Sequence, residues 1–176
     1  MNSRIILSAI GNDRPGLTQA LADAVLSAGG NWLESHLSHL GGQFVGAVLV
    51  ELDAGRIGEL EAAVRAVDAN GLNVSLVPAG DAAAGSAGDV VRIDLVGQDR
   101  PGIVREVTAA LAPLGANIED FVSATENGAW SGERLFRASA KVSIPSGTPL
   151  DRVQEALEAI SADIVADLTV SRSKIR

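Results

Sequence analysis

A seven-residue stretch whose side chains could hold a small charged ligand occurs twice in the chain. Residues 11–17 read GNDRPGL and residues 97–103 read GQDRPGI, with five identical positions and two conservative differences. A residue before proline is kept out of the α region, and proline suits the first position of a helix. Each copy therefore predicts a turn from a strand into a helix. The first backbone N–H groups of such a helix have no partner within it, and small anions bind there.

The predicted binding residues are those of the two turns and the asparagine that opens the next strand in each half. They are Asn12, Asp13, Arg14, Pro15, Gly16, Leu17 and Asn31 in the first half, and Gln98, Asp99, Arg100, Pro101, Gly102, Ile103 and Asn117 in the second. Backbone N–H groups of the turn glycines and of the residues after them would take a carboxylate. Aspartate and asparagine oxygens would hold an ammonium group. The aspartates also have a purely structural explanation, because a carboxylate at a helix N-terminus stabilises the helix dipole by about 0.3–1 kcal/mol.

The remaining residues do not predict a reactive centre. The chain has no cysteine, which excludes disulfides, thiolate catalysis and cysteine-type zinc sites. Its two histidines, His36 and His39, lie three apart on a predicted strand, where their side chains point to opposite faces and cannot converge on a metal. No phosphate-binding loop, dinucleotide fingerprint or nucleophile elbow is present. We therefore predict a protein that is not an enzyme, with no catalytic residues, no metal site and no cofactor.

The turns are positioned by strands and helices that follow the same order in each half. Apolar periodicity in the first half predicts a strand over 4–10, a helix over 17–28, strands over 31–40 and 44–52, a helix over 57–67 and a strand over 72–77. The second half predicts a strand over 90–96, a helix over 103–114, a strand from 117, and then a strand over 135–144, a helix over 150–160 and a strand over 164–170. Hairpin turns are predicted at Gly41-Gly42 and at Asn127-Gly128, with Trp130 near the tip of the second hairpin. Helix caps are predicted at Asp53 and Thr148, and Pro149 is predicted as the first residue of the helix after Thr148.

The order βαββαβ, found twice, predicts the α+β class with two ferredoxin-like domains. Each would be a four-stranded antiparallel sheet with two helices on one face. The predicted bounds are 1–79 for the first domain, 80–88 for a linker of small residues and 89–176 for the second domain. The strand over 44–52 is apolar at nearly every position, which predicts that another domain covers the second sheet face. Halves this small also favour packing on one another, or a homodimer.

The net charge of the chain limits which kinds of partner it can bind. The net charge is −8, it is shared evenly between the halves, and no cluster of lysine and arginine interrupts it. Binding to nucleic acid needs a basic footprint, so direct contact with DNA or RNA is not expected, and an anionic membrane surface is disfavoured for the same reason. The apolar runs are too short to span a bilayer, and we expect a cytoplasmic protein.

The residues over 11–17, the helix after them and the Gly-Gly-Asn-Trp strand start over 29–32 resemble the ACT domain, a βαββαβ ligand-binding module. The resemblance extends over nearly all of both halves. It implies sensing of an amino acid at an interface between two copies, through the first turn and the neighbouring second strand. A tandem pair of this length without an attached enzyme is similar to the glycine cleavage system transcriptional repressor family.

That resemblance implies a regulatory protein that binds a small amino acid, with glycine or serine favoured. It implies action through a partner transcription factor or enzyme rather than through direct contact with DNA. The second turn has Gln98 in place of Asn12, so the two sites are expected to differ. The alternative is a protein–protein interaction module without a ligand, in which the repeat serves folding alone.

Overall fold

The structure of the chain is a computed structural model, in which contacts divide the residues into two compact units, Met1–Ala82 and Ala83–Arg176. It describes residues 1–68, 71–80, 88–127, 133–160 and 164–171. Most of the predicted linker, residues 81–87, lies outside this range, and so do Gly128 and Trp130 of the second predicted hairpin. The last predicted linker residue, Gly88, already belongs to a strand.

The first unit has the predicted element order. Its elements are β1 (Asn2–Asn12), α1 (Leu17–Ser27), β2 (Asn31–Leu40), β3 (Gln43–Asp53), a 3-10 turn (Ala54–Arg56), α2 (Ile57–Asp68) and β4 (Leu72–Pro78). All strand pairs are antiparallel, and the sheet order is β2-β3-β1-β4. The predicted βαββαβ order is confirmed here.

The second unit repeats the first. Its elements are β5 (Gly88–Gln98), α3 (Ile103–Leu111), a 3-10 turn (Ala112–Leu114), β6 (Asn117–Asn127), β7 (Arg134–Pro145), α4 (Leu150–Glu158) and β8 (Val165–Ser171). The sheet order β6-β7-β5-β8 corresponds strand by strand to that of the first unit. The predicted fold class, α+β with two ferredoxin-like halves, is therefore confirmed.

Each unit has its own hydrophobic core between one face of its sheet and its two helices. In the first unit, alternate residues of β1 such as Leu7 pack with Leu21 of α1 and Leu60 of α2, and these three side chains are completely buried. In the second unit, Ile93 of β5 and Leu157 of α4 occupy comparable positions. Burying such a side chain contributes roughly 1.5–3 kcal/mol, so the helix-covered face holds each unit together.

The second face of the first sheet is apolar but not closed. On β3, Phe44, Val48 and Val50 are buried against the helices, whereas the intervening Val45 and Leu49 are only half-buried. The continuous apolar run in the sequence therefore reflects one buried face and one partly exposed apolar face. The expected covering of this second face by another domain stays a prediction.

Turn chemistry was predicted correctly in two places and wrongly in one. Gly41 and Gly42 both have positive φ (58° and 84°), as a type I′ hairpin turn requires. Asp53 accepts a hydrogen bond from the Gly55 N–H at 2.8 Å and so caps the 3-10 turn that leads into α2. The cap predicted at Thr148 is wrong, because its hydroxyl donates back to the carbonyl oxygen of Pro145 at 2.7 Å. Helix α4 begins only at Leu150, after an extended proline.

Candidate functional site

The two repeated turns have the same backbone. Helices α1 and α3 are each preceded by a glycine in the left-handed region, Gly16 at φ 90°, ψ 0° and Gly102 at φ 90°, ψ −3°. The prolines precede these caps instead of occupying the first helical position, so that detail of the prediction is wrong. A methyl group on either glycine would have no atom within 4 Å. Glycine is therefore needed for the backbone conformation, and the outer side of each turn is open.

The first turn presents backbone donors that nothing in the described residues uses. The first hydrogen bond of α1 runs from the Ala20 N–H to the Gly16 carbonyl oxygen at 2.9 Å, and no side chain caps the helix. The N–H groups of Leu17 and Thr18 lie before that bond. Helix α1 also has no acidic residue in its first turn to offset its dipole. A carboxylate placed outside Gly16 would meet these donors at the positive end of the helix.

The β2–β3 hairpin forms hydrogen bonds with the residues of the first turn. His39 of β2 and Asp13 are hydrogen-bonded through Nδ1 and Oδ2 at 2.7 Å, and the amide of Gln43 donates to Asn12 Oδ1 at 3.0 Å. The antiparallel register explains both contacts, because Asn12 pairs with Gln43 at the end of β1. His36, in contrast, lies on the other face of β2, 3.4 Å from Glu34. His39 thus contacts the candidate site, although nothing in the sequence indicated that it would reach the turn.

In the second turn, the arginine is paired with an acidic residue of the helix that follows, α3. Arg100 donates through both terminal nitrogens to the two carboxylate oxygens of Glu106, at 2.8 and 2.5 Å. This hydrogen bonding and the charge of Arg100 hold the pKa of Glu106 below its usual value. The corresponding Arg14 is exposed and has no ion pair among the described residues, because Ala20 occupies the position of Glu106. The two turns therefore share a backbone but differ in charge: a guanidinium is available only in the first.

The predicted asparagines lie at the other end of each sheet. Asn31 pairs with Glu51, and Glu51 pairs with Arg4 near the beginning of β1, whereas the turn follows Asn12 at the end of that strand. Eight residues of extended strand separate the two places by about 25 Å. Asn117 is related in the same way to the second turn, through β7 and the beginning of β5. The predicted pairing of a turn with the asparagine of the same half is therefore wrong.

Other kinds of site find no support in the described part of the chain. No group of three or more histidine, aspartate or glutamate side chains there could hold a metal ion. None of the helices described is long and apolar enough to cross a membrane.

Two ferredoxin-like units in series, each with a glycine-capped turn between its first strand and first helix, define a tandem protein of the ACT-like fold. The family model of the ACT domain matches residues 3–76. That match covers nearly all of the first unit, and the second unit repeats the same fold. No curated protein matches the chain.

Two solved structures resemble the whole chain. An unknown protein from Galdieria sulphuraria is 27% identical, with a TM-score of 0.83 over 97% of this chain and 99% of its own. A candidate glycine cleavage system transcriptional repressor is 19% identical, with a TM-score of 0.71 over 98% of this chain and 99% of its own. At that identity the second similarity is evidence of fold alone. Both matches cover the two units together, so the tandem is shared with other proteins.

Proposed function

We propose that this protein is an amino-acid-sensing regulator and that the first turn of the first unit receives the ligand's carboxylate. The proposal rests on the difference in charge and hydrogen bonding between the two turns. Among the described residues, nothing uses the N–H groups at the start of α1 or forms an ion pair with the exposed Arg14, whereas Glu106 already occupies the guanidinium of the second turn. A carboxylate bound to the first turn would take the place that Glu106 fills in the second.

The ammonium end of the ligand needs oxygen atoms from another copy of the fold. Asp13 is within the turn, but it is engaged by His39, and Asn31 is at the far end of its own unit. A turn and an asparagine can meet only if two copies lie side by side in opposite directions. The second copy is either the other half of the chain or a second chain, and a homodimer is part of the proposal.

The ligand class and the partner follow from chemistry and from the relatives. Glycine and serine are favoured because one similar structure bears the name of a glycine cleavage repressor. The acidic charge without a basic cluster supports action through a transcription factor or an enzyme in the cytoplasm, without direct DNA contact.

Titration calorimetry with a panel of amino acids tests the proposal. Charge-assisted hydrogen bonds contribute about 1.5–3 kcal/mol, so Arg14→Ala is expected to weaken binding by about tenfold or more. The matched control is Arg4→Ala, an exposed arginine at the opposite end of β1, which should leave the affinity unchanged. If no amino acid binds at millimolar concentration, the sensor proposal fails and the ligand-free interaction module takes its place.

A further inference from the structure

β4 is an edge strand with one feature that usually prevents edge pairing, the proline at its last position, Pro78. It pairs with β1 on one side only, its residues LNVSLVP include no charged side chain, and its register with β1 is regular. The opposite edge, β2, has a bulge between Trp32 and Glu34 and carries both histidines. In the second unit, the edge strand β6 has a bulge before Asp120. Natural proteins blunt exposed edges with bulges, charges and prolines, and the six residues of β4 before Pro78 have none of these, so that part of the edge is available for pairing.

The ladder identifies which backbone groups of β4 face outward. The N–H of Ala79 donates to the carbonyl oxygen of Arg4 at 2.9 Å, so this pair is hydrogen-bonded. Hydrogen-bonded and non-hydrogen-bonded pairs alternate in an antiparallel ladder. The backbone N–H and C=O groups of every second residue of β4 therefore point away from β1. The outward-facing residues with both N–H and C=O groups are Leu72, Val74 and Leu76. Pro78 falls in the same set, where its missing N–H removes no bond to β1.

A groove of about 500 Å³ runs beside this edge, between β4 and α2. Its walls are mostly apolar, with Ile57 and Val64 from the helix and five consecutive residues of β4. Two charges stand on the helix side, Glu61 and Arg65, which form an ion pair at 2.6 Å and remain largely exposed. The groove therefore offers backbone groups, apolar surface and one charge of each sign.

We infer that this edge and groove receive β4 and α2 of a second copy of the chain. A two-fold axis midway between the two copies of Val74 places Leu72 of each chain opposite Leu76 of the other. The backbone groups of Leu72, Val74 and Leu76 then form hydrogen bonds with the residues opposite them. Pro78 stays outside that register. The same axis brings Glu61 of one α2 towards Arg65 of the second, because residues of an isologous interface contact each other reciprocally. The two sheets join into one eight-stranded sheet.

Self-complementary charge is what selects a second copy over an unrelated apolar strand. An unrelated apolar strand would match the edge and the apolar wall, whereas a copy of this chain also places an acid opposite Arg65 and a base opposite Glu61. The interface lies at the opposite edge of the sheet from β2 and uses neither Arg14 nor the backbone donors of the first turn. Carboxylate binding at the first turn therefore does not need the β4 interface, and the test of β4 pairing can fail while that binding stands.

Charge reversal measured by analytical ultracentrifugation over a range of concentrations tests the inference. The unaltered chain should dimerise, and Glu61→Arg or Arg65→Glu alone should weaken the dimer by roughly tenfold or more, because like charges then meet across the axis. An equimolar mixture of the two variants should recover a heterodimer, since each Arg then faces a Glu. The double variant should also dimerise.

The matched control is Arg4→Glu, a charge reversal on β1 at an exposed side chain that does not line the groove, which should leave the dimer unchanged. Circular dichroism establishes that each variant is folded. A monomer at all concentrations overturns the inference, and so does a dimer that both single reversals leave intact. Recovery on mixing is the decisive positive result, because only pairing between copies of this chain produces it.

Discussion

The strongest stability prediction concerns the two turn glycines. Gly16 and Gly102 share φ 90°, a conformation that costs an L-residue roughly 1–2 kcal/mol, and a new Cβ at either would contact nothing within 4 Å. Gly16→Ala and Gly102→Ala should therefore each destabilise their own unit by that backbone cost alone. For a unit of this size, each kcal/mol corresponds to about 4–8 °C in melting temperature.

A third glycine supplies the matched control. Gly58 lies in α2 without a positive φ, and a Cβ there would also meet no atom within 4 Å. Gly58→Ala should be neutral or stabilise the first unit by up to about 1 kcal/mol, because alanine favours helix. Urea denaturation followed by circular dichroism measures all three variants. The reasoning is refuted if Gly16→Ala is as stable as Gly58→Ala, since the turn would then not require a left-handed residue.

Three further outcomes are expected. Leu21→Ala, at a completely buried position, should cost about 2–5 kcal/mol in urea denaturation, whereas Leu26→Ala on the exposed side of the same helix should stay within about 0.5 kcal/mol. Asp53 has a lowered pKa, first because the Gly55 N–H donates to it, so its contribution is complete above the unfolded value near 3.9 and is lost as pH falls through the folded value. Asp53→Ala should therefore destabilise the chain at neutral pH and lose its effect in acid, as urea denaturation at both pH values would reveal. Glu106→Gln should remove the competing carboxylate charge from the second turn and raise the number of amino-acid ligands bound per chain in calorimetry.

The sequence predicted those features that depend on neighbours in the chain. The repeat over 11–17 and 97–103 located both strand-to-helix turns, and helical spacing identified the core faces of α1 and α2. Gly41-Gly42 and Asp53 were assigned correctly because turn and cap preferences act over two or three residues. Thr148 was assigned wrongly because the helix begins later, after Pro149, and its hydroxyl found a closer acceptor behind it.

Contacts that depend on strand register could not be predicted in the same way. His39 reaches Asp13 only because the β2–β3 hairpin lies beside the end of β1, and the residues are 26 apart in the chain. Asn31 follows α1 closely in sequence, but the helix carries the chain back along the sheet, so Asn31 lies far from the turn. The Arg100–Glu106 pair had a signal in the sequence: Ala20 replaces the glutamate in the first copy, a difference between otherwise matched turns.

Nuclear magnetic resonance of the backbone amides gives the most direct test of carboxylate binding at the first turn. Glycine and serine are titrated into isotopically labelled protein, and the amide signals of both turns are followed. The signals of Gly16 and Leu17 should shift with saturation, while those of Gly102 and Ile103 should stay in place or shift only at much higher concentration. Shifts confined to residues outside the first turn, or no shifts at millimolar ligand, would contradict the proposed site.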